Sequence, residues 1–483
     1  MSIRGFRRKY KPLDILSEEE IQKIHIATID ILKEVGVRFE SKWALDFFKK
    51  HDCIVDASER MVKFPEGLVE ECIRKAPRVF RTKAREEKYD MVYNSDTVYF
   101  QDAPAMNTLD LDTFVPRTPT TQEYIDYIKI LDALPTVHGL SAYPYFGCVD
   151  IPPVMIMPHL MALKCKYTSK FHECPYSNDS EIFAIKMAYA AGSEILGAIS
   201  VSAPLTWFDS AVNQARRFIE AGFPVGPCSG SSFGATAPVT LAGAVAKTNA
   251  ELISMLVMVQ LLKPGHRALM WELDLPQNMR TGSLAFGQIG ASIANAMYNQ
   301  MWRYYEVPTA NATVGFINSK TPDFQSGYER AIGTVISALS GCCLVQLHGC
   351  IMGELTGHPV QAVLDDDIAG MVGRFIEGDN VNEETLAIDL IREVGPIPGH
   401  FLGSEHTREW WPTVQYVPKT GDRTSNYKQW IDKGKKNAVK LAIERTREIV
   451  ATHTPSILDE EKSREIDKIL EEAKEFYKKK GML

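Results

Sequence analysis

From about residue 138 the sequence settles into one repeated cycle, a short apolar or β-branched run followed by a long amphipathic or apolar helical stretch. The runs are HGLSAYPYF from His138, TSKFHECPY from Thr168, ILGAISVSAPL from Ile195, PVGPCSGSSFG from Pro224, RALMWELDL from Arg267, PTANATVGF from Pro308, CCLVQLHGCIM from Cys342, and a weaker PVQAVLDDDI from Pro359. Helical stretches between them cover 179–191, 208–221, 239–262, 283–305 and 323–340, several ending at Gly222, before Pro264 or at Gly341. Eight strands alternating with helices pair in parallel through right-handed crossovers. The expected fold is therefore α/β, a (β/α)8 TIM barrel with helical N- and C-terminal extensions. An open doubly wound sheet gives the same alternation, but GCCLV and GFPVGP lack the spaced glycines that a pyrophosphate needs between strand and helix.

The chain has 483 residues, more than the roughly 250 of a bare barrel. The expected division is a helical extension with short strands over 1–137, the barrel over 138–379, and a helical extension over 380–483 packed on the barrel. In the first part, LSEEEIQKIHIATIDILKEVG offers Ser17 as a cap with Glu20 three residues on, then apolar residues at helical spacing up to Gly36. The stretch Thr97 to Phe114 alternates like strands joined by a turn, and is expected to lid one end of the barrel. The basic run RGFRRKYK reads as a solvated tail. A Trp-rich interval, EHTREWWPTVQYVPKTGDRTSNYKQW, and a charged final helix from Ser456 close the chain, the latter with a solvated face.

A net charge of −7 argues against nucleic-acid binding, which calls for a basic stripe. No run approaches the roughly 18 uninterrupted apolar residues of a membrane span, and the basic N-terminus has no apolar core of a signal peptide. Nine scattered cysteines suit reduced thiols better than a disulfide framework. These features point to a cytoplasmic protein that binds neither membrane nor nucleic acid, and leave room for a homo-oligomer through the aromatic C-terminal interval.

In a barrel, the last residues of each strand line the mouth where active sites are built. That rule selects Tyr143, Tyr145, Phe146, His172, Glu173, Cys174, Cys228, Phe233, Trp271, Glu272, Phe316, Gln346 and His348. Aromatic residues dominate and basic ones are scarce, a lining suited to a methylated ammonium cation, which aromatic faces attract by about 0.5–2 kcal/mol each when desolvated. Each such ring taken singly is more often core filler, so the reading rests on their convergence. His348 in VQLHGC shares strand parity with Gln346, and Gly349 leaves room for a ligand; a lone strand histidine is otherwise a satisfied core residue. The pairs His172/Cys174 and His348/Cys350 raise zinc, with Cys228 as a third ligand for the first, but Cys350 is the last cysteine and no tightly bound metal is expected. No P-loop lysine motif occurs.

The run ARRFIEAGFPVGPCSG followed by GATAPVTLAGAVAKTNAE over residues 234–251 resembles the trimethylamine methyltransferase family in content and order. FINSKTPDFQSGYERA, LDDDIAGM, GSEHTREWW and GDRTSNYKQWIDKGKK resemble its later blocks, so the likeness spans most of the chain beyond about residue 95. The resemblance implies a (β/α)8 barrel that moves a methyl group from a methylated amine to the reduced cobalt of a corrinoid, cobalamin, carried on a small partner protein. With only standard residues, the chain resembles the non-pyrrolysine branch, which implies a quaternary amine as substrate: glycine betaine first, proline betaine or carnitine next. In that setting Tyr145, Phe146, Trp271 and Phe316 would surround the cation, Glu173 or Glu272 would add counter-charge, and Gln346 and His348 would bind the carboxylate, with His348 also available for proton transfer. The competing expectations are a zinc-dependent methyltransferase using His172, Cys174 and Cys228, and a non-catalytic quaternary-amine binding protein.

Overall fold

The computed structural model describes residues 5–141, 147–174 and 178–483. Eight parallel strands close on themselves: β1 (Thr97–Asp102), β2 (Gly139–Leu140), β3 (Phe171–Cys174), β4 (Ile195–Ser200), β5 (Val225–Cys228), β6 (Met270–Glu272), β7 (Thr309–Asn311) and β8 (Leu344–His348), with β8 paired back to β1. A helix follows each strand: α1 (Thr121–Ala133), α2 (Ile156–Tyr167), α3 (Glu181–Ala191), α4 (Asp209–Glu220), α5 (Leu241–Leu262), α6 (Ile289–Tyr304), α7 (Phe324–Leu339) and α8 (Pro359–Glu377). This is the (β/α)8 barrel that the alternation called for.

The count of eight is reached differently from the sequence expectation. The segment from Pro359 is a helix, not the eighth strand: His358 caps it, Pro359 occupies the first turn, and Val360, Val363, Ala369 and Val372 recur at helical spacing on a buried face. The missing strand is β1, inside the stretch expected to lid the barrel. Its alternation is that of a barrel strand, with Val98 and Phe100 packed under α8 and Tyr99 and Gln101 turned inward. Only the following hairpin, Thr108–Leu109 against Pro116–Arg117, lies at the rim.

α5 is the one helix among the described residues long and apolar enough to cross a membrane, yet 89% of its most apolar window is buried inside the fold. It is a core helix, covered by the N-terminal helix Glu18–Asp30, whose capping box joins Ser17 and Glu20 as their spacing predicted, and by the helix Glu66–Lys75. The basic N-terminus is not a solvated tail. Phe6–Arg7 pairs antiparallel with β1, Phe6 fills the space over Gly373 of α8, and buried Arg8 donates to the carbonyls of Ser95 and Ala338. The final helix, Glu460–Lys479, buries Ile466, Ile469, Ala473 and Tyr477 against α3 and α2 and leaves its charged face to solvent. All nine cysteines are free thiols.

Candidate active site at the barrel mouth

Strand register decides which side chains enter the barrel. A Cβ added at Gly197 of β4 would strike the Phe218 ring of α4, so Gly197 faces the helices and its neighbour Leu196 faces inward. Residues paired across parallel strands project on the same side. The pairings carry the assignment round the barrel: Glu173 with Leu196, Ser200 with Cys228, Cys228 with Trp271, Trp271 with Ala310, Ala310 with Leu344, and Gln346 with Gln101. Among the described residues, the inward polar side chains near the strand ends are thus Gln101, Glu173, Ser200, Cys228 and Gln346.

Glu173 is the one carboxylate in this set, and the set contains no basic side chain. It is 3% exposed and accepts a hydrogen bond from Gln101 Nε2 at 2.7 Å. The other end of that carboxamide, Gln101 Oε1, is buried with no hydrogen-bond partner among the described residues. Lys164 of α2 sets the carboxylate's height from behind. Its ammonium donates to the carbonyls of Ser141 at 2.9 Å and Glu173 at 2.7 Å, tying the ends of β2 and β3 together, and burial lowers its pKa to about 8. Cys228 stays a neutral thiol, because burial first and the acidic surroundings second push it well above the usual range.

Of the expected aromatic residues, Tyr143, Tyr145 and Phe146 lie outside the described residues. Trp271 does face inward: it lies over Gly226, where an added Cβ would stand 2.9 Å from its indole, and its Nε1 is buried without a partner among the described residues. Phe316 and Phe233 are buried in loops beyond β7 and β5, Phe316 edge-on to Phe286 with centroids 6.2 Å apart. Gln346 faces inward beside Gln101, but it does not share that side with His348 as the expected strand parity had it.

Four expected mouth residues face the helices instead. Glu272 pairs with Asn311 on the outer side of the barrel wall, accepting from Asp274 N at 2.7 Å and Thr313 Oγ1 at 3.0 Å beside Asn295 of α6. Burial, then the neighbouring Asp274, raises its pKa well above the carboxylate range, so it is held as a neutral acid and offers the mouth no counter-charge. His172 and Cys174 flank Glu173 on β3 and therefore point outward. His172 is held neutral first by burial and then by Lys164 and Arg85, and Cys174 lies near Glu181, Lys164 and Cys165. Cys228 is on the opposite face of the wall, and no group of three or more His, Cys, Asp or Glu that could hold a metal exists among the described residues. The zinc set proposed from spacing does not come together.

His348 is turned away by an irregularity in the ladder. Gln346 pairs with Gln101 but His348 pairs with Asp102, so two residues of β8 answer one of β1 and the alternation breaks. The imidazole is fully buried between the sheet and α8, with Nε2 3.0 Å from Thr136 Oγ1 and Nδ1 3.3 Å from Gln101 O, while Thr136 donates to Asp366 at 2.6 Å. Burial lowers its pKa to about 4. Both ring nitrogens are occupied by protein, which gives His348 a positioning role behind Gln101. Gly349 makes room for Tyr127 of α1, not for a ligand: an added Cβ there would collide with the phenol oxygen.

Sequence reasoning missed Gln101, because β1 was set apart from the barrel, and a buried polar cluster behind the β4, β5 and β6 loops. In that cluster Lys247 of α5 pairs with Glu251 at 2.7 Å and donates to Ser231, Thr248 donates to Asp274, Ser231 N donates to Asp274 at 2.9 Å, and Leu205 N donates to Glu251 at 2.7 Å. The residues were visible in the AVAKTNAE run, but nothing in the run said that three rim loops would close on them.

The register defines a closed barrel whose mouth, among the described residues, gathers one carboxyl and two carboxamides beside an indole and no inward basic side chain, a lining suited to a small organic cation. The chain matches the Trimethylamine methyltransferase (MTTB) family over residues 1–476, and it belongs to that family of methyltransferases. It is 30% identical over 468 residues to a glycine betaine methyltransferase of Desulfitobacterium hafniense (strain Y51), covering 93% of this chain and 94% of the relative. It is 27% identical to a trimethylamine methyltransferase from another strain of that species, DSM 10664 / DCB-2, over 95% of this chain and 94% of the relative. Among solved structures, the monomethylamine methyltransferase of Methanosarcina barkeri superposes with a TM-score of 0.52 at 12% identity, covering 98% of this chain and 90% of that one.

Proposed function

We propose that this chain is a cytoplasmic methyltransferase that takes one methyl group from a quaternary amine and passes it to cob(I)alamin, free or carried on a small corrinoid-binding protein. Glycine betaine is the preferred substrate, with proline betaine or carnitine next. The observation that carries the reading is the buried Glu173 carboxyl, the one acidic side chain among the described inward polar groups, which include no basic side chain. A fixed permanent cation is what such a group selects: the charge of a quaternary nitrogen cannot be lost by deprotonation, and its methyl groups suit the Trp271 face.

The reaction breaks one N–CH3 bond, whose electron pair stays on nitrogen to give a tertiary amine. The acceptor cobalt(I), a substrate in this reading, supplies the electron pair of the new Co–CH3 bond and ends as methyl-cobalt(III). A quaternary nitrogen leaves without a proton, so the site needs no general acid and no electrophilic imine. Its work is to hold, aim and dehydrate. Glu173 sets the position of the cation and Gln101 fixes the carboxylate. Gln346, whose side chain makes no hydrogen bond to a described group, supplies a carboxamide for the carboxylate end of a betaine.

The test mixes purified protein, chemically reduced cobalamin and glycine betaine, and follows methylcobalamin by absorbance and dimethylglycine by NMR. One methylcobalamin per dimethylglycine is expected. Tight binding with neither product would instead make the chain a non-catalytic quaternary-amine binder.

A further inference from the structure

The barrel helix α7 is built inside out. Its buried side carries Glu329, Arg330, Thr334 and Ser337, and its solvent side carries Phe324, Tyr328, Ile332 and Val335 along one stripe. The helix has two charged residues, and both are committed inward. Arg330 donates to the carbonyls of Leu347 and Cys350, and Glu329 accepts from Asn318 N at 3.0 Å and Ser319 N at 3.3 Å. No charged residue stands on the solvent side. A surface helix in water has the opposite distribution. α4 shows it, with Val212, Ala215 and Phe218 buried and Asp209, Ser210 and Glu220 exposed.

The stripe continues onto α8, which packs alongside α7 and leaves Met371 and Phe375 more than half exposed. With the four α7 side chains, which are between 37% and 87% exposed, they open roughly 650 Å² of apolar surface, at about 200 Å² per large side chain. The largest apolar patch of an ordinary monomer is about 300–600 Å². Each partner in a stable interface buries about 800 Å², polar rim included. A second stretch without cover borders this face. Between Ile376 and Thr420 no residue is buried, although the stretch forms the helices Glu383–Leu386, Ile388–Val394 and Glu405–Val414. Helices that short are held by packing and not by their own hydrogen bonds. The stretch returns to α8 where Arg374 Nε donates to Val414 O at 3.0 Å and Tyr416 lies over Gly370, next to Met371.

We propose that the α7–α8 face pairs with the same face of a second copy of this chain about a two-fold axis. Three observations choose the occupant. The α7 part of the face carries no charge, as in the core of a homodimer interface and unlike a transient contact. Its open apolar area approaches that of one side of a stable dimer. It is also self-complementary: beside the ridge of Phe324, Tyr328 and Ile332 runs a row of small residues, Gly327 and Ala331, and a Cβ added at Gly327 would meet nothing within 4 Å. A two-fold axis sets the ridge of each copy into the row of the other. The pairing is independent of what the barrel mouth binds.

The experiment measures mass by sedimentation equilibrium for wild type, Ile332→Glu and a control on the solvent side of α4, Ser210→Glu. Wild type and control should sediment at twice the chain mass or an even multiple of it, and Ile332→Glu at half the wild-type mass. The axis brings two added carboxylates into one apolar contact, so the dissociation constant should rise at least hundredfold. Circular dichroism verifies the fold. Phe324→Glu is the second variant and should give the same halving: Phe324 is 87% exposed in the first turn of α7, where an added carboxylate favours the helix. Raising salt from about 0.05 M to about 0.5 M should leave the wild-type mass unchanged, since no charge pair on α7 holds the contact. A wild type that stays monomeric at tens of micromolar would overturn the proposal, as would folded Ile332→Glu and Phe324→Glu variants that keep the wild-type mass.

Discussion

Replacing Glu173 by Gln removes one charge from the mouth and almost nothing else. The side chain keeps its length, and the Gln101 carboxamide that now donates to Glu173 at 2.7 Å can meet a second carboxamide in its place. What is lost is Coulomb attraction. Methyl groups keep the charge centre of a quaternary ammonium about 5 Å from a carboxylate, where an effective dielectric of about 20 gives roughly 3 kcal/mol. Part of that is already spent on desolvating the ligand, so the net loss should be about 1–3 kcal/mol, a weakening of about 5- to 150-fold. Calorimetry with glycine betaine and its uncharged-carbon isostere, 3,3-dimethylbutanoate, separates charge from shape. Wild type should prefer betaine and Glu173→Gln should lose most of that preference. If the variant binds betaine within twofold of wild type, or if wild type binds both ligands equally, Glu173 is not the cation's counter-charge.

His348→Gln should leave betaine affinity within about twofold while lowering stability by about 1–3 kcal/mol, because Thr136 and the Gln101 carbonyl lose their buried partner; unfolding in urea and calorimetry distinguish this from a substrate contact. The same pair reports pH. The folded pKa of His348, about 4, lies below the unfolded value, so the unfolded chain takes up the proton first and the stability held above about pH 6.5 is lost as pH falls toward 4. Between about pH 7.5 and about pH 5, wild type should lose about 2 kcal/mol relative to His348→Gln, and no relative change would place the imidazole elsewhere. Gly226→Val should force Trp271 off its seat at a cost of about 1–3 kcal/mol and shift the tryptophan fluorescence; an unchanged spectrum would mean that the indole does not rest on β5. Lys247→Met should destabilise by about 3–5 kcal/mol by leaving Glu251 unpaired, and adding Glu251→Gln should restore part of that; strictly additive losses would contradict a coupled pair.

The barrel was legible because helices and strands carry their periods in the sequence. Ser17 with Glu20, Gly222, Pro264 and Gly341 marked element ends, and seven of the eight strand runs lie where their apolar or β-branched residues placed them. Pro359 misled because three consecutive aspartates after apolar residues do not by themselves tell a strand from a capped helix. Thr97–Asp102 was missed as a barrel strand because its short alternation serves a hairpin equally well. At the site, strand-end position selected residues on both faces of a strand: Glu173, Trp271 and Gln346 face inward, while His172, Cys174 and Glu272, taken by the same rule, face the helices. The one use of parity put His348 on the side of Gln346. It failed at His348, where one extra residue in β8 reverses the direction of everything after it. Such a bulge is set by Arg330 gripping the carbonyls of Leu347 and Cys350 and by Asp365 holding Gly349 N, contacts made by distant helices. Glu272 was assigned to the mouth by its place at a strand end, but its pairing with Asn311 places it against α6.

The most direct measurement of the central claim is kcat/KM for methyl transfer to reduced cobalamin, taken on one preparation with glycine betaine, proline betaine, carnitine, choline and trimethylamine. A mouth that holds a permanent cation and contributes no proton or imine should turn over at least one of the quaternary amines and leave trimethylamine untouched. Turnover of trimethylamine at a rate equal to or above that of every quaternary amine would contradict it.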